Sequence, residues 1–158
     1  EMQWSLVGSE MCIRDRDENG KLERVLETVL YCRTENCDEV MRFYDDVLGL
    51  RGNRLFAESP GLYRLGATVL LVFNADETTV KQSPPATGTT GRAHTCFVVS
   101  AAQFEDWKLR IEDADVKIID EIAWAPPLKG RSFYFNDPAG NVLEIADRDI
   151  WPGQAAEL

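Results

Sequence analysis

The sequence predicts an α+β fold made of two tandem βαβββ modules whose strands form curved mixed sheets. Two observations support this: the order of elements in the first half recurs in the second half, and equivalent residues superpose at a nearly constant offset. The offset drifts by only a few residues, as expected when turns of different length join equivalent strands. The superposed pairs are 27–31 on 94–98, Tyr63 on Tyr134, and 69–73 on 142–146.

The first module, residues 25–75, opens with a run of β-branched and aromatic residues that predicts a strand at 25–32. A helix follows, with Thr34 or Asn36 as its N-cap and Gly49 as its end. Its apolar residues recur at i, i+3, i+4, i+7 and i+8, which is typical of a helix packed on a sheet. Three short strands are predicted to complete the module, at about 50–57, about 61–66, and 68–74.

The second module, residues 92–151, repeats this order. A strand is predicted at 93–99, and Ser100 with Gln103 forms a predicted capping box. The strand residues Leu30 and Phe97 are then expected in equivalent buried positions under the two helices. The remaining elements are a helix with Phe104, Trp107, Ile111 and Ala114 on one face, and strands at 116–124, 131–135 and 141–146. Residues 76–91, rich in proline, glycine and threonine, are predicted to form an inter-module linker or lid.

Composition excludes several classes of protein. The chain has 17 Lys and Arg against 27 Asp and Glu, a net charge of −10, and no basic cluster that would hold a nucleic acid. The longest apolar run, 69–73, is far shorter than the roughly 20 residues of a membrane-spanning helix. We expect a cytoplasmic protein with four reduced cysteines. Residues 1–24 lack any sustained period and are expected to be a non-functional extension, with 152–158 as a tail.

Two sequence motifs are specific enough to suggest a family. FYDDVLGL closes the first helix, and GRSFYFNDPAGNVLEI spans the last two strands. With the repeated βαβββ order, they resemble the vicinal oxygen chelate superfamily of glyoxalases, bleomycin-resistance proteins and extradiol dioxygenases. The resemblance covers about residues 25–151. It implies that each module curls its sheet into a cup and that two cups together form one site for a metal and a substrate.

The resemblance also implies where metal ligands stand: on the first and last strand of each module. The four positions here are Glu27, Leu71, His94 and Glu144. Leucine cannot bind a metal, so three ligands remain, and Glu144 is a candidate for catalysis as well. One imidazole and two carboxylates favour a hard or borderline divalent cation, with Mn²⁺, Fe²⁺ or Mg²⁺ ahead of Zn²⁺.

Strand periodicity leads to the same three ligands. Alternate strand residues share a face, so each of these charged or polar side chains interrupts a largely apolar face. Burying a carboxylate costs several kcal/mol unless it is paired or coordinates a metal. The alternatives are a hydrogen-bonded structural histidine at 94, a solvated Glu144, and an ion pair from Glu27 to Arg24, Arg33 or Arg131.

Other residues are weaker candidates for substrate contacts. Arg131 is a candidate clamp for a substrate carboxylate, although an arginine at a strand start more often forms a surface ion pair. Tyr31, on the face of Glu27, is a candidate proton donor, or else a core tyrosine with a satisfied hydroxyl. Cys96 is more often a small buried hydrophobe than a reactive thiol. Further candidates for the substrate surface are Leu71, Phe73, Cys96 and Trp124.

Two functions from different classes remain open. The first is a small metalloenzyme in which a divalent cation chelates two adjacent oxygens of a small organic substrate, with isomerase, lyase and dioxygenase chemistry undecided. The second is a metal-free protein that binds a drug or metabolite between its cups, as the bleomycin-resistance branch does. The missing fourth ligand favours binding, whereas the three remaining ligands favour a metal. The resemblance also implies a homodimer.

Overall fold

A computed structural model of the chain describes residues 24–56, 61–89, 91–147 and 150–151. The predicted extension before residue 24 and the tail from residue 152 lie outside the described residues. Within those that are described, no helix is long and apolar enough to cross a membrane.

The first sheet has three strands, in the order β1-β3-β2. They are β1 at Glu27–Cys32, β2 at Leu62–Leu65 and β3 at Thr68–Asn74, with β1 parallel and β2 antiparallel to β3. Strand alternation gives β1 two different faces: Leu30 and Cys32 belong to the hydrophobic core, whereas Glu27, Val29 and Tyr31 line a pocket on the opposite face. We call the face opposite the core the open face of each sheet.

The helix of the first module is α1, Cys37–Arg42, which continues as a π-helical turn at Phe43–Val47. Gly49 then adopts a φ of 71°, a left-handed conformation that glycine takes without a Cβ clash, and ends the helical segment. A 3₁₀ helix at Leu50–Asn53 follows, so the strand predicted at about 50–57 is wrong for residues 50–56. The chain after the glycine forms local helical bonds instead. Among the described residues, the bridge between Arg54 and Tyr63 and a hydrogen bond of 2.8 Å from the Leu55 N–H to the Leu62 carbonyl join it to β2.

The second sheet has four strands, in the order β4-β7-β6-β5. The short helix α2, Ala75–Thr78, precedes it in the inter-module segment, and a 3₁₀ turn at Ala101–Gln103 leads into α3, Phe104–Asp113. The predicted capping box is not formed: Ser100 is the N-cap of the 3₁₀ turn but makes no side-chain cap hydrogen bond, and its Oγ instead donates to Gln103 Oε1 at 2.8 Å. The strands are β4 at His94–Val99, β5 at Asp120–Ala123, β6 at Arg131–Asn136 and β7 at Val142–Asp147.

The turn between β6 and β7 joins the two modules. The Tyr44 hydroxyl, from the first module, donates to Asp137 Oδ2 at 2.9 Å, and both groups are buried. Burial and this carboxylate together raise the pKa of Tyr44 well above its usual value, so it remains a hydrogen-bond donor. Asn141 Nδ2 donates to the same carboxylate at 2.8 Å and to the Tyr31 carbonyl at 3.2 Å.

The two mixed sheets and their helices confirm the α+β fold class that the sequence predicts.

The expectation of four reduced cysteines is wrong. Cys32 and Cys37 form a disulfide, with Cα atoms 5.3 Å apart. The reason is geometric: β1 ends at Cys32 and α1 begins at Cys37, so the short turn between them brings the two Cβ atoms together. Cys96 is a free, exposed thiol.

The disulfide gives a direct chemical prediction. Protein purified without reductant and then denatured should gain two reactive thiols per chain on reduction, those of Cys32 and Cys37, because these two cysteines are bonded to each other. Titration with a chromogenic disulfide in denaturant, before and after reduction, measures this gain. A count of four before reduction would contradict the disulfide.

Leu30 is the clearest test of the strand parity on which the site depends. Its side chain is 1% exposed and belongs to the same core as Phe43, so Leu30→Ala should lower the free energy of unfolding by about 2 to 5 kcal/mol. Phe97, expected to be equally buried, is only half-buried and lines a small apolar cavity of 140 Å³ with Trp107. Phe97→Ala should therefore cost less. Urea unfolding of both variants measures the difference, and a loss below about 0.5 kcal/mol for Leu30→Ala would mean that the parity is wrong.

Candidate metal centre and ligand pocket

Four polar side chains occupy the open face of the second sheet. The register places Cys96 of β4 beside Glu144 of β7, and Glu144 beside Tyr134 of β6, so these three stand in one row across the sheet. His94 lies two residues before Cys96 on the same face. The alternate residues Leu143 and Ile145 belong to the core, which fixes the parity of the row.

His94 and Glu144 are in direct contact. The imidazole Nε2 lies 3.2 Å from Glu144 Oε2, while Nδ1 lies 3.0 Å from the carbonyl oxygen of Val142. A carbonyl only accepts hydrogen bonds, so Nδ1 must carry the proton that joins them. This contact orients the ring and leaves Nε2 directed at the carboxylate, which is the arrangement of a histidine that binds a metal through Nε2.

The contact between Nε2 and Glu144 needs a proton or a cation between the two atoms. A neutral ring protonated on Nδ1 has a lone pair on Nε2, and two lone-pair acceptors at 3.2 Å repel each other. A proton on either of the two atoms, or a bound cation, removes that repulsion. The second oxygen, Glu144 Oε1, is buried, and no described residue donates a hydrogen bond to it within 3.5 Å. A divalent cation would satisfy both atoms, so the donor set fits a metal ion.

Tyr134 and Cys96 stay protonated beside this carboxylate. Partial desolvation, and then the Glu144 carboxylate as hydrogen-bond acceptor and as charge, raises the pKa of Tyr134 to about 12 and that of the Cys96 thiol to about 12. At neutral pH both therefore present neutral O–H and S–H groups to the site. The Tyr134 ring also stacks on His94, with centroids 6.2 Å apart. Sequence reasoning missed Tyr134 because it superposed this residue on Tyr63, and that superposition is wrong by one residue. Tyr63 pairs with Leu70 and is buried in the core, whereas the residue that stands where Tyr134 stands is Leu62, which pairs with Leu71.

The first module carries a separate pocket of about 690 Å³ on its open face. Its floor is apolar, and the inter-module segment after α2 forms a wall. Glu27 and Tyr31 line it, as the strand period predicts, and Glu27 is exposed. The other lining residues are Thr28, Val29, Leu62, Leu71, Phe73, Thr78, Lys81, Pro84, Pro85 and Thr87.

The strand registers show that Leu71 stands where Glu144 stands in the second module. Glu27 pairs with Val69, two residues before Leu71, exactly as His94 pairs with Val142, two residues before Glu144. Leu71 is 9% exposed and lines the same pocket as Glu27. The first module therefore keeps one candidate ligand and has an apolar side chain at the position of the other.

The predicted ligands divide between the two sheets. His94 and Glu144 are together, whereas Glu27 lies in the first-module pocket, and the described part of the chain contains no cluster of three or more His, Cys, Asp or Glu residues that could hold a metal. Glu27 has none of the ion pairs considered from the sequence. Arg33 pairs with Asp76 at 3.0 Å, Arg131 pairs elsewhere, and among the described residues no ion pair joins Arg24 to Glu27.

Arg131 faces α3 and not the open face. Its Nη1 lies 2.5 Å from Glu105 Oε1, its Nε lies 3.7 Å from Asp147 Oδ2, and its guanidinium sits 4.2 Å from the centre of the Phe104 ring. This is the surface ion pair that the sequence left open as the alternative to a substrate clamp. A substrate clamp at Arg131 stays a prediction, and it would require the guanidinium to leave Glu105.

The remaining candidates for substrate contacts also divide between the modules. Tyr31, Leu71 and Phe73 line the first-module pocket. Cys96 is exposed on the second sheet, and Trp124 is fixed beside that sheet because its Nε1 donates to Ser132 Oγ at 2.8 Å.

The chain contains two copies of one module, and each copy has an open sheet face. Glu27 and His94 stand at register-equivalent positions on these two faces. This arrangement defines a class of small α+β proteins built around paired cups. The match to a family confirms that class. The Glyoxalase/Bleomycin resistance protein/Dioxygenase superfamily matches residues 25–145. The chain belongs to this superfamily.

Solved structures agree with the family match. A lactoylglutathione lyase from Agrobacterium tumefaciens is 29% identical, with a TM-score of 0.69 over 80% of this chain and 95% of that chain. A virulence protein from Salmonella typhimurium is 27% identical, with a TM-score of 0.60 over 80% and 98%. A glyoxalase-related enzyme from Fulvimarina pelagi, at 24% identity and a TM-score of 0.60 over 83% and 92%, shows the same fold. No curated protein sequence matches the chain significantly.

Proposed function

We propose that the chain is a metal-dependent enzyme that acts on a small organic substrate with two adjacent oxygen atoms. The observation that carries this proposal is the contact between His94 Nε2 and Glu144 Oε2, beside a buried carboxylate oxygen to which no described residue donates a hydrogen bond. Members of the superfamily typically use divalent metals. The similarity to a lactoylglutathione lyase supports an isomerase or lyase, and the resemblance also allows dioxygenase chemistry.

We infer that a complete site needs two copies of the chain. His94 and Glu144 of one copy would be joined by Glu27 of a second copy, since the described residues of a single chain bring only two of the three together. The open face of the second sheet is accessible for such pairing: the His94 side chain is 49% exposed, and Val98, on the same face, is also 49% exposed. A homodimer whose cups face each other follows from this arrangement.

One imidazole and two carboxylates suit Mn²⁺, Fe²⁺ or Mg²⁺ better than Zn²⁺. Such an ion, when bound, acts as a Lewis acid on the substrate oxygens. The chain's own residues hold and orient the site. The Val142 carbonyl keeps the His94 proton on Nδ1, and the Tyr134 hydroxyl keeps its proton at neutral pH and is available to donate it to a substrate oxygen. Tyr31, which lines the first-module pocket on the face of Glu27, is the second candidate proton donor.

Mixing two inactive variants tests the shared site. Glu27→Gln and His94→Ala should each bind less than 0.1 Mn²⁺ per chain, roughly the limit expected when a direct ligand is lost. After the two proteins are denatured together and refolded, half of the dimers are mixed, and one of the two sites in each mixed dimer keeps all three ligands. The mixture should therefore recover about a quarter of the wild-type metal content.

The control for this experiment is each variant refolded alone, which should recover no metal. A mixture that recovers none, although light scattering shows dimers, would contradict a site shared between copies. A wild-type protein that is a monomer at micromolar concentration would contradict it as well.

The second candidate is a metal-free protein that binds a small molecule, and Leu71 favours it. The leucine removes a carboxylate from the first-module pocket and adds to its apolar floor. In that case Nε2 of His94 would carry a proton and form an ion pair with Glu144. Elemental analysis of wild-type protein purified without a chelator separates the two: metal near one ion per chain supports the enzyme, and none after incubation with Mn²⁺ supports the binding protein.

A further inference from the structure

The first-module pocket combines an apolar floor with two separated charges. Val29, Leu71 and Phe73 form the floor on β1 and β3, and Leu62 of β2 extends it. A volume of about 690 Å³ lies within the usual range for sites that hold small organic ligands. These four side chains have no hydrogen-bonding group, so this part of the pocket suits an apolar ring or a branched hydrocarbon.

Glu27 and Lys81 are the charged residues among those that line the pocket. They do not form an ion pair with each other, and among the described residues neither has an ion pair elsewhere; the formed pairs are those of Arg33, Arg51, Arg54, His94, Lys108 and Arg131. Lys81 comes from the segment after α2, which forms a wall over the floor. The pocket is therefore acidic at Glu27 and basic at Lys81.

These charges select the orientation of a ligand. An anionic group at Glu27 would be repelled, and the chain as a whole carries a charge of −10, so Lys81 is the place in this pocket that attracts an anion. We propose that the pocket takes a ligand with an apolar body that ends in an anionic group, and that this group faces Lys81. Resting on the proposed function, the metal-binding oxygens of the same ligand lie at the Glu27 end.

A pair of fluorescent probes tests the proposal without the natural substrate. 8-Anilinonaphthalene-1-sulfonate and N-phenyl-1-naphthylamine share one apolar body, and only the first carries an anion. Both are titrated into the folded full-length protein in EDTA, so that the result does not depend on a metal. We expect saturation near one probe per chain, with tighter binding of the sulfonate.

Lys81→Met should weaken binding of the sulfonate by about 3- to 5-fold, the range of a partly exposed ion pair, and leave the neutral probe unchanged. The effect should shrink at roughly 0.5 M NaCl, where screening shortens the range of the charge. Lys129→Met is the matched control: it removes the same charge from an exposed lysine of the second module and should change neither affinity. Phe73→Ala should weaken both probes, because it removes part of the floor.

Equal affinity for the two probes, or a sulfonate affinity that Lys81→Met and Lys129→Met change alike, would overturn the proposal. Lys81 is exposed, so its variant tests the idea even if Phe73→Ala does not fold. The probe experiment and the metal experiment test different proposals, and either can fail without the other. Loss of the Lys81 effect with normal Mn²⁺ binding contradicts the ligand class alone, whereas the reverse result contradicts only the proposed metal site.

Discussion

Replacing His94 with alanine should abolish stoichiometric binding of Mn²⁺. The expected loss of affinity is roughly 100-fold or more, since even outer-shell partners of a metal are typically worth 10- to 100-fold. The chain has one histidine, so no other imidazole can replace it. Titration calorimetry with Mn²⁺, together with metal analysis after dialysis, measures the effect.

The fold should survive this change. The His94 side chain is half exposed and lies on the open face, away from the core. Thermal unfolding followed by circular dichroism should show a native transition in the variant. Glu144→Gln should lose metal in the same way, whereas Glu105→Gln, an identical change on the surface of α3, should bind metal like the wild type. Unchanged metal content in a folded His94→Ala protein would contradict the site.

The fold could be predicted where the sequence pattern is strong and local. The apolar run 69–73 predicts β3, and the strand has the expected bounds, Thr68–Asn74, because a continuous apolar stretch is buried when it pairs in a sheet. The strand predicted for residues 50–56 is wrong. The left-handed Gly49 starts a new local turn, and the periodicity of apolar residues does not reveal such a turn. The disulfide was missed for a similar reason. It depends on the exact ends of β1 and α1, and sequence patterns locate such ends only to within a few residues.

The sequence predicts which residues form each half of the candidate site, but not the contacts between those residues. Strand period placed His94 and Glu144 on one face, and the structure adds the contact between them. The place of Arg131 was not decided by sequence, because an arginine at a strand start serves a ligand and a neighbouring helix equally well, and here Glu105 of α3 holds it. In the proposed dimer, whether Glu27 reaches the other ligands depends on how the two copies pair, which no pattern within one sequence encodes.

Leu71→Glu is the change with the largest expected gain of metal affinity. The register places residue 71 where Glu144 stands in the second module, so the variant adds a carboxylate beside Glu27. A fourth protein ligand should tighten Mn²⁺ binding by about 10-fold or more, because affinity in oxygen-rich sites rises with the number of charged ligands. It should also lower turnover, since a fourth ligand occupies a position that a catalytic site leaves open to water or substrate.

Leu71→Gln separates charge from size in this test. Glutamine has nearly the shape of glutamate but no charge, so it should bind Mn²⁺ much like the wild type while making the pocket floor equally polar. In the absence of metal, Leu71→Glu should unfold at a lower temperature than Leu71→Gln, because Glu27 and the new carboxylate repel each other in one pocket. Added Mn²⁺ should reverse that order. If both variants bind Mn²⁺ with the wild-type affinity, residue 71 does not face the ion, and the first-module pocket is not part of the metal site.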